Sequence, residues 1–255
     1  MLRILALLVV LLLVAVGTWR DRVRSTQWRV PLFVAVYPVA ADDSPVTRDY
    51  VAALTCEQFA AIDRFFEAEA QRYRIGLATP LQTRLKPPLH TIPPQRSADA
   101  GIFSTLLWSL RVRYWAWRQT ANAGEPADIR IFVLYHDPAL SPSVPHSLGL
   151  QKGLIGVVYA FAQNSMDGGN TVVIAHEILH TLGATDKYDP ANDAPRFPEG
   201  YGDPAQAPLF PQSSAELMGG RRMLSRTQWE QPADLGEVVI GPQTALEIRW
   251  LPHAS

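Results

Sequence analysis

The sequence predicts an α+β fold: a mixed β-sheet with antiparallel pairing at one edge, a helix bearing two histidines, and a short carboxy-terminal helix. Three observations carry this expectation. Apolar, β-branched runs lie at Val30–Val39, Ile129–His136 and Leu154–Phe161, and runs of this length bounded by turn residues read as buried strands. Between them, apolar residues recur at three- and four-residue spacing, the period of a helix with one buried face. The connection Pro142–Lys152 is short and polar. It is too short for a crossover helix, so antiparallel edge pairing is expected there.

Composition sets the outer bounds. At 255 residues, with 47% hydrophobic and 18% charged, the chain suits one large globular domain or two small ones. A net charge of −1 gives no electrostatic footprint for nucleic acid. The 21 prolines exceed the usual share of about 5%, so long ordered loops are expected. No internal repeat or low-complexity tract is visible.

Residues Ile4–Gly17 form an unbroken apolar run after Arg3. It is shorter than the roughly 20 residues of a comfortable membrane span and closer to a signal-peptide core. Ala15-Val16-Gly17 offers small residues for cleavage, whereas Trp19 could extend the run into an anchor over residues 4–19. Arg20, Arg22 and Arg24 follow, a charge order that the positive-inside tendency disfavours for an exported carboxyl end. Export is still expected: residues 1–24 read as a signal peptide or amino-terminal membrane anchor. The bulk of the chain then lies outside the cytoplasm, periplasmic or in the cell envelope in a bacterium.

Thr55 and Gln58 form a capping box. The helix behind it carries Phe59, Ile62, Phe66, Ala70 and Tyr73 on one stripe suited to a sheet face. Cys56 is the single cysteine, so no intramolecular disulfide is possible, and a small buried side chain is expected there. Residues 79–96 hold five prolines and read as an extended loop. Phe103, Leu106, Leu107, Leu110, Tyr114 and Trp117 again fit a helical stripe, with Trp108 and Trp115 off it, bound for core packing, a neighbour or a membrane. Near the end, Val238-Val239-Ile240 suggests a strand and Pro242–Leu251 a short helix, Pro242 suiting its first position.

The chemistry concentrates in Val172–Asp186. His176 and His180 are four apart, hence one helical turn apart on one face, so both imidazoles reach a single metal ion. Glu177 projects near that face and can hold a water without being a ligand. Val172, Ala175, Leu179 and Leu182 supply a core-facing stripe. Gly183 falls where the helix must stop, since glycine enters the left-handed conformation without steric cost. Asp186 then returns to where a third ligand is needed. Asp189 is the rival, three residues further on and better placed for hydrogen bonds within its own loop or around the ligands. His136 and His146 are further ligand types, but surface or hydrogen-bonding roles are commoner for such histidines. Asp189, Asp193, Glu199 and Asp203 lie in a Pro-, Asp- and Gly-rich loop without the ordered spacing of a calcium site.

This segment resembles the metzincin zinc peptidases, whose motif is His-Glu-x-x-His-x-x-Gly-x-x-His. The departure is Asp186 in the third-histidine position; aspartate there is similar to snapalysin, and Leu182–Asp189 resembles the same stretch of immune inhibitor A-type peptidases. The resemblance is specific over residues 170–189. It implies a zincin-like (metzincin-type) domain over residues 25–255, with a twisted mixed sheet whose antiparallel edge strand binds substrate backbone by strand addition. It also implies a methionine turn beneath the metal, for which Glu216-Leu217-Met218-Gly219-Gly220 is the candidate. Glu216 as a third ligand of the gluzincin kind ranks low, because it sits in that turn and not on a second helix. Some metzincins place a tyrosine two residues past the methionine; here that position is Gly220, so Tyr188, Arg221 or Arg222 substitutes, or nothing does.

The expected function is a zinc-dependent metalloendopeptidase acting on protein or peptide substrates. His176, His180 and Asp186 would bind Zn²⁺, and Glu177 would be the general base. An aspartate ligand lends negative charge, making this zinc a weaker Lewis acid than one held by three histidines. Two other classes stay open: a zinc hydrolase of a non-peptide bond, and a membrane-tethered binding protein with a non-catalytic metal site. The intact Glu177 counts against the last.

Overall fold

A computed structural model of the chain describes residues 24–95, 101–121, 124–151 and 154–252. The apolar run Ile4–Gly17, its cleavage site and the anchor over 4–19 lie outside the described residues. Among the described residues no helix is long and apolar enough to cross a membrane.

A five-stranded mixed sheet organises the molecule, in the order β2-β1-β3-β5-β4. Strands β1 (Leu32–Ala40), β2 (Leu81–Leu85), β3 (Ile129–His136) and β5 (Ile155–Phe161) run parallel, and β4 (Leu148–Leu150) pairs antiparallel on the outer edge of β5. The expected antiparallel edge is therefore β4, which lies within the connection between two parallel neighbours. Strand side chains alternate between faces, and the two faces feed separate cores. Leu32, Val34, Val36, Ile129, Ile131 and Val133 pack on one side; Ala35, Tyr37, Val39, Phe132 and Leu134 pack on the other. Both faces being covered explains why β1 and β3 read as nearly continuous apolar runs.

The first face is covered by α2 (Ala60–Tyr73) and α4 (Asp167–Leu182), with α1 (Pro45–Ala53) beside them; α1 is capped by Ser44 and starts on Pro45, and was not foreseen. The capping box forms, Gln58 Oε1 accepting from the Thr55 amide at 2.6 Å, and opens a 3-10 turn over Cys56–Phe59 that runs into α2. Phe59, Ile62, Phe66 and Ala70 are buried as expected, each large side chain stabilising by about 1.5–3 kcal/mol. Cys56 is instead exposed, because the turn points it to solvent ahead of the buried stripe.

Two expectations are corrected. Residues 79–96 are not all loop, since Leu81–Leu85 pairs with Leu32–Val36 of β1. Pro80 and Pro87 bound these five residues without interrupting them, as an edge strand allows, and the Pro80 carbonyl accepts from the Leu32 amide at 3.0 Å. The second correction concerns α3 (Ile102–Thr120), which covers the other sheet face. It turns Val112, Ala116, Trp108 and Trp115 inward and leaves Leu107, Leu110, Tyr114 and Trp117 exposed. That sheet face already carries the large rings of Tyr37 and Phe132. Small Val112 and Ala116 fit over them, and Trp115 meets Phe132 edge-on at 4.7 Å.

At the carboxyl end, Val238–Val239 pairs parallel with Ala215–Glu216, and helix α5 (Pro242–Glu247) follows with proline in its first turn. Trp28 reaches this end, donating to the Ile248 carbonyl at 2.7 Å.

Candidate metal centre

Helix α4 buries Val172, Ala175, Leu179 and Leu182 in the core on this side of the molecule. That fixes the rotation of the helix and leaves both histidines half-buried, with His180 next to β4. Gly183 ends the helix at φ 108°, a left-handed conformation suited to glycine. The reversal is held by the Gly183 and Ala184 amides, which donate to the carbonyls of His180 and Leu179. Three residues later Asp186 faces the two rings.

The geometry there is convergent. Asp186 Oδ1 lies 3.2 Å from His176 Nε2 and 3.1 Å from His180 Nε2, and the ring centroids are 4.6 Å apart. Each Nδ1 is 2.9 Å from a backbone carbonyl: Leu217 for His176, Ala184 for His180. A carbonyl only accepts, so Nδ1 carries the proton and each neutral ring directs its Nε2 lone pair at Asp186. Three acceptors aimed at one point need positive charge between them. Two ligands about 2.0–2.1 Å from a tetrahedral ion are about 3.3 Å apart, close to the separations seen. The donor set therefore fits a metal. No other such group of histidine, cysteine and carboxylate ligands occurs among the described residues. Burial by itself would raise the Asp186 carboxyl, but the two imidazoles that face it hold it below the usual carboxylate range.

Glu177 stands beside this group, 3% exposed, and its Oε2 is buried with no hydrogen-bond partner among the described residues. Burial pushes its carboxyl up, against the lowering effect of the two histidines. Leaving a buried carboxylate oxygen unpaired costs stability, and a base poised closer to neutrality is what proton transfer uses. Edge strand β4 runs next to it. A side chain at Gly149 would put its Cβ 2.4 Å from His180 Cβ and 2.8 Å from the Glu177 carbonyl, so only glycine lets the edge approach the helix this closely.

The methionine-turn segment lies against the same helix. Its Leu217 carbonyl meets His176, the Met218 carbonyl accepts from the Lys187 amide at 2.8 Å, and the Met218 side chain is fully buried. Glu216 is the anchor of this turn and lies apart from the ligand group. It accepts from Gly219 N (2.8 Å), Gly241 N (3.0 Å) and Thr244 Oγ1 (2.7 Å), while burial pushes its carboxyl up against those bonds. Glu216→Ala should lower unfolding free energy by about 2 kcal/mol or more, since it strands the buried Gly241 amide and Thr244 hydroxyl, while the Gly219 amide keeps the Glu216 carbonyl. A urea melt measures this. Any metal the wild type binds should stay bound in the folded fraction, which a ligand role for Glu216 would forbid.

Sequence reasoning missed Lys187, Thr244 and Glu247. Buried Lys187 donates to Glu247 Oε2 at 2.7 Å and to the Thr185 carbonyl at 2.7 Å, and Glu247 also receives the Thr185 amide and hydroxyl, each at 2.9 Å. Helix α5 thus holds the turn that presents Asp186. These partners are 60 or so positions apart, and no local pattern marks them.

The remaining candidates separate. Tyr188 is half-buried beside Asp186; burial first, then the neighbouring carboxylates, push its phenol up to about 12. Asp189 accepts from the Ala191 amide at 3.0 Å in its own turn, away from the histidines. Arg221 faces Asp193 at 3.9 Å, and Arg222 is bonded to Glu230. His146 is exposed, and His136 stacks on Tyr159.

No protein-family model matches this chain, and no curated protein does. Among solved structures it is similar to a chain from the structure of a chaperone-substrate complex, with 12% identity and a TM-score of 0.43. The match covers 86% of this chain but only 33% of the other, and a likeness at this level carries no argument about fold or function.

Proposed function

We propose that this chain is a zinc-dependent peptidase of the zincin-like, metzincin type, with His176, His180 and Asp186 as the ligands. One observation carries the reading: two Nε2 lone pairs and a carboxylate converge within 3.2 Å next to a buried, unpartnered Glu177 carboxylate. A sheet with a single antiparallel edge strand beside the motif helix supports it.

When bound, zinc supplies Lewis acidity that lowers the pKa of water from about 15.7 towards ~7 and polarises a carbonyl. Glu177 takes the proton of the attacking water on Oε2 and passes it to the leaving amine. Strand β4 offers its free edge to an extended substrate backbone. Tyr188, held protonated at neutral pH, is the donor nearest the ligands for a developing oxyanion. Met218 lies in the turn that steadies His176 through Leu217. Arg221, engaged with the Gly220 carbonyl and Asp193, takes no part. Export or anchoring through residues 4–19 places this activity outside the cytoplasm.

Metal analysis of the purified protein, paired with digestion of casein and a peptide library, tests the reading. Near-stoichiometric zinc and peptide cleavage that stops with a chelator are expected. Zinc without cleavage of any peptide would leave a hydrolase of another bond or a non-catalytic metal site; absence of bound metal would overturn the proposal.

A further inference from the structure

Helix α3 carries two apolar faces where its position needs one. Val112, Ala116, Trp108 and Trp115 meet the sheet, and the nearly opposite face presents Leu107, Leu110, Tyr114 and Trp117, each 50–61% exposed. Tyr114 and Trp117 lie ring to ring at 5.9 Å within this surface. Monomeric proteins seldom expose so contiguous an apolar patch without a partner.

Charge and composition say which partner. The helix holds Arg111, Arg113 and Arg118 and no aspartate or glutamate, in a chain whose net charge is −1. Arg111 and Arg118 border the patch and line an open groove of about 530 Å³ with Tyr114, Thr91 and Ile92. Tryptophan and tyrosine at the tip with arginines at the flank is the pattern of a helix lying in a bilayer interface, apolar face towards the acyl chains and cations among anionic headgroups. A second copy of the same face would oppose arginine to arginine.

The chain's course agrees. Arg24 is ion-paired with Asp128 at the foot of β3, shortly after α3 ends at Thr120. The apolar run Ile4–Gly17 ends seven residues before Arg24 in the chain. Helix α4 lies on the other face of the sheet.

We infer that the outer face of α3 docks on an anionic lipid bilayer, with Leu107, Leu110, Tyr114 and Trp117 in the interface and Arg111 and Arg118 against headgroup phosphates. The metal helix is then carried on the side of the sheet turned away from the lipid. This assignment does not depend on the metal centre.

The chain supplies its own control for the test, since Cys56 is its single cysteine, exposed, and lies at the start of α2 on the opposite sheet face. The full-length protein is spin-labelled at Cys56, and separately at position 114 or 107 in the variants Cys56→Ser/Tyr114→Cys and Cys56→Ser/Leu107→Cys. Each is mixed with phosphatidylcholine–phosphatidylglycerol vesicles. Collision with an aqueous nickel chelate should fall roughly tenfold at 114 and 107, as for side chains ~5–10 Å into the interface, and stay unchanged at Cys56. Labels at 114 and 107 that remain as water-exposed as Cys56 on vesicle-bound protein would overturn the inference. Immobilisation at 114 and 107 that grows with protein concentration in the absence of vesicles would overturn it too, in favour of a second copy.

Discussion

If the proposed mechanism holds, Glu177→Gln should bind zinc as the wild type does and lose peptidase turnover by at least ~10²-fold. The substitution preserves side-chain volume and the packing of α4, and the three ligand atoms are untouched. What it removes is the acceptor. The wild-type Oε2 is buried and has no partner among the described residues, so no neighbour is positioned to take over the proton. Zinc content and initial rates on one peptide, measured on the same preparation, check both halves. Wild-type turnover in Glu177→Gln would sink the mechanism even if the metal were present.

The two aspartates of the turn should behave oppositely. Asp186→Ala should lose zinc and activity together, because its Oδ1 is the atom both Nε2 positions face. Asp189→Ala should keep most of its zinc and loosen only its own loop. There its side chain accepts one amide, from Ala191, and its carbonyl accepts the amides of Asn192 and Asp193. Zinc content of the two purified variants decides the matter. Retention in Asp186→Ala with loss in Asp189→Ala would reverse the assignment.

The ligand cluster was legible in the sequence because it is local. His176, His180 and Asp186 fall within 11 consecutive residues, and helix period plus a glycine stop place all three. The strands β1, β3 and β5 were legible for a related reason, since burial on both faces leaves a continuous apolar run. Strand β2 was hidden by composition: Gln82, Thr83 and Arg84 are polar because the edge position permits it, and flanking prolines imitate a loop. On α3 the stripe faces outward, while Trp108 and Trp115, off it, pack in the core as expected. A helix apolar on two faces gives periodicity no means of choosing between them, and only the rings of Tyr37 and Phe132 beneath it decide. The grip of Glu247 on Lys187, and of Thr244 on Glu216, joins residues brought near only by the finished fold.

That grip bears on the order in which the protein is made. A chain that has grown to Asp189 already contains both histidines, Glu177 and Asp186. It does not yet contain the Leu217 carbonyl that orients His176, nor the Glu247 carboxylate that seats Thr185 and Lys187 around the third donor. The first of those contacts needs 28 residues beyond Asp189 and the second 58, with the two ends brought together by Trp28 on Ile248. During synthesis and any passage through a membrane in extended form, the donors exist without the frame that aims them. On the proposed reading, the site is therefore completed late, after its carboxy-terminal frame has been made, and the delay is written into chain order.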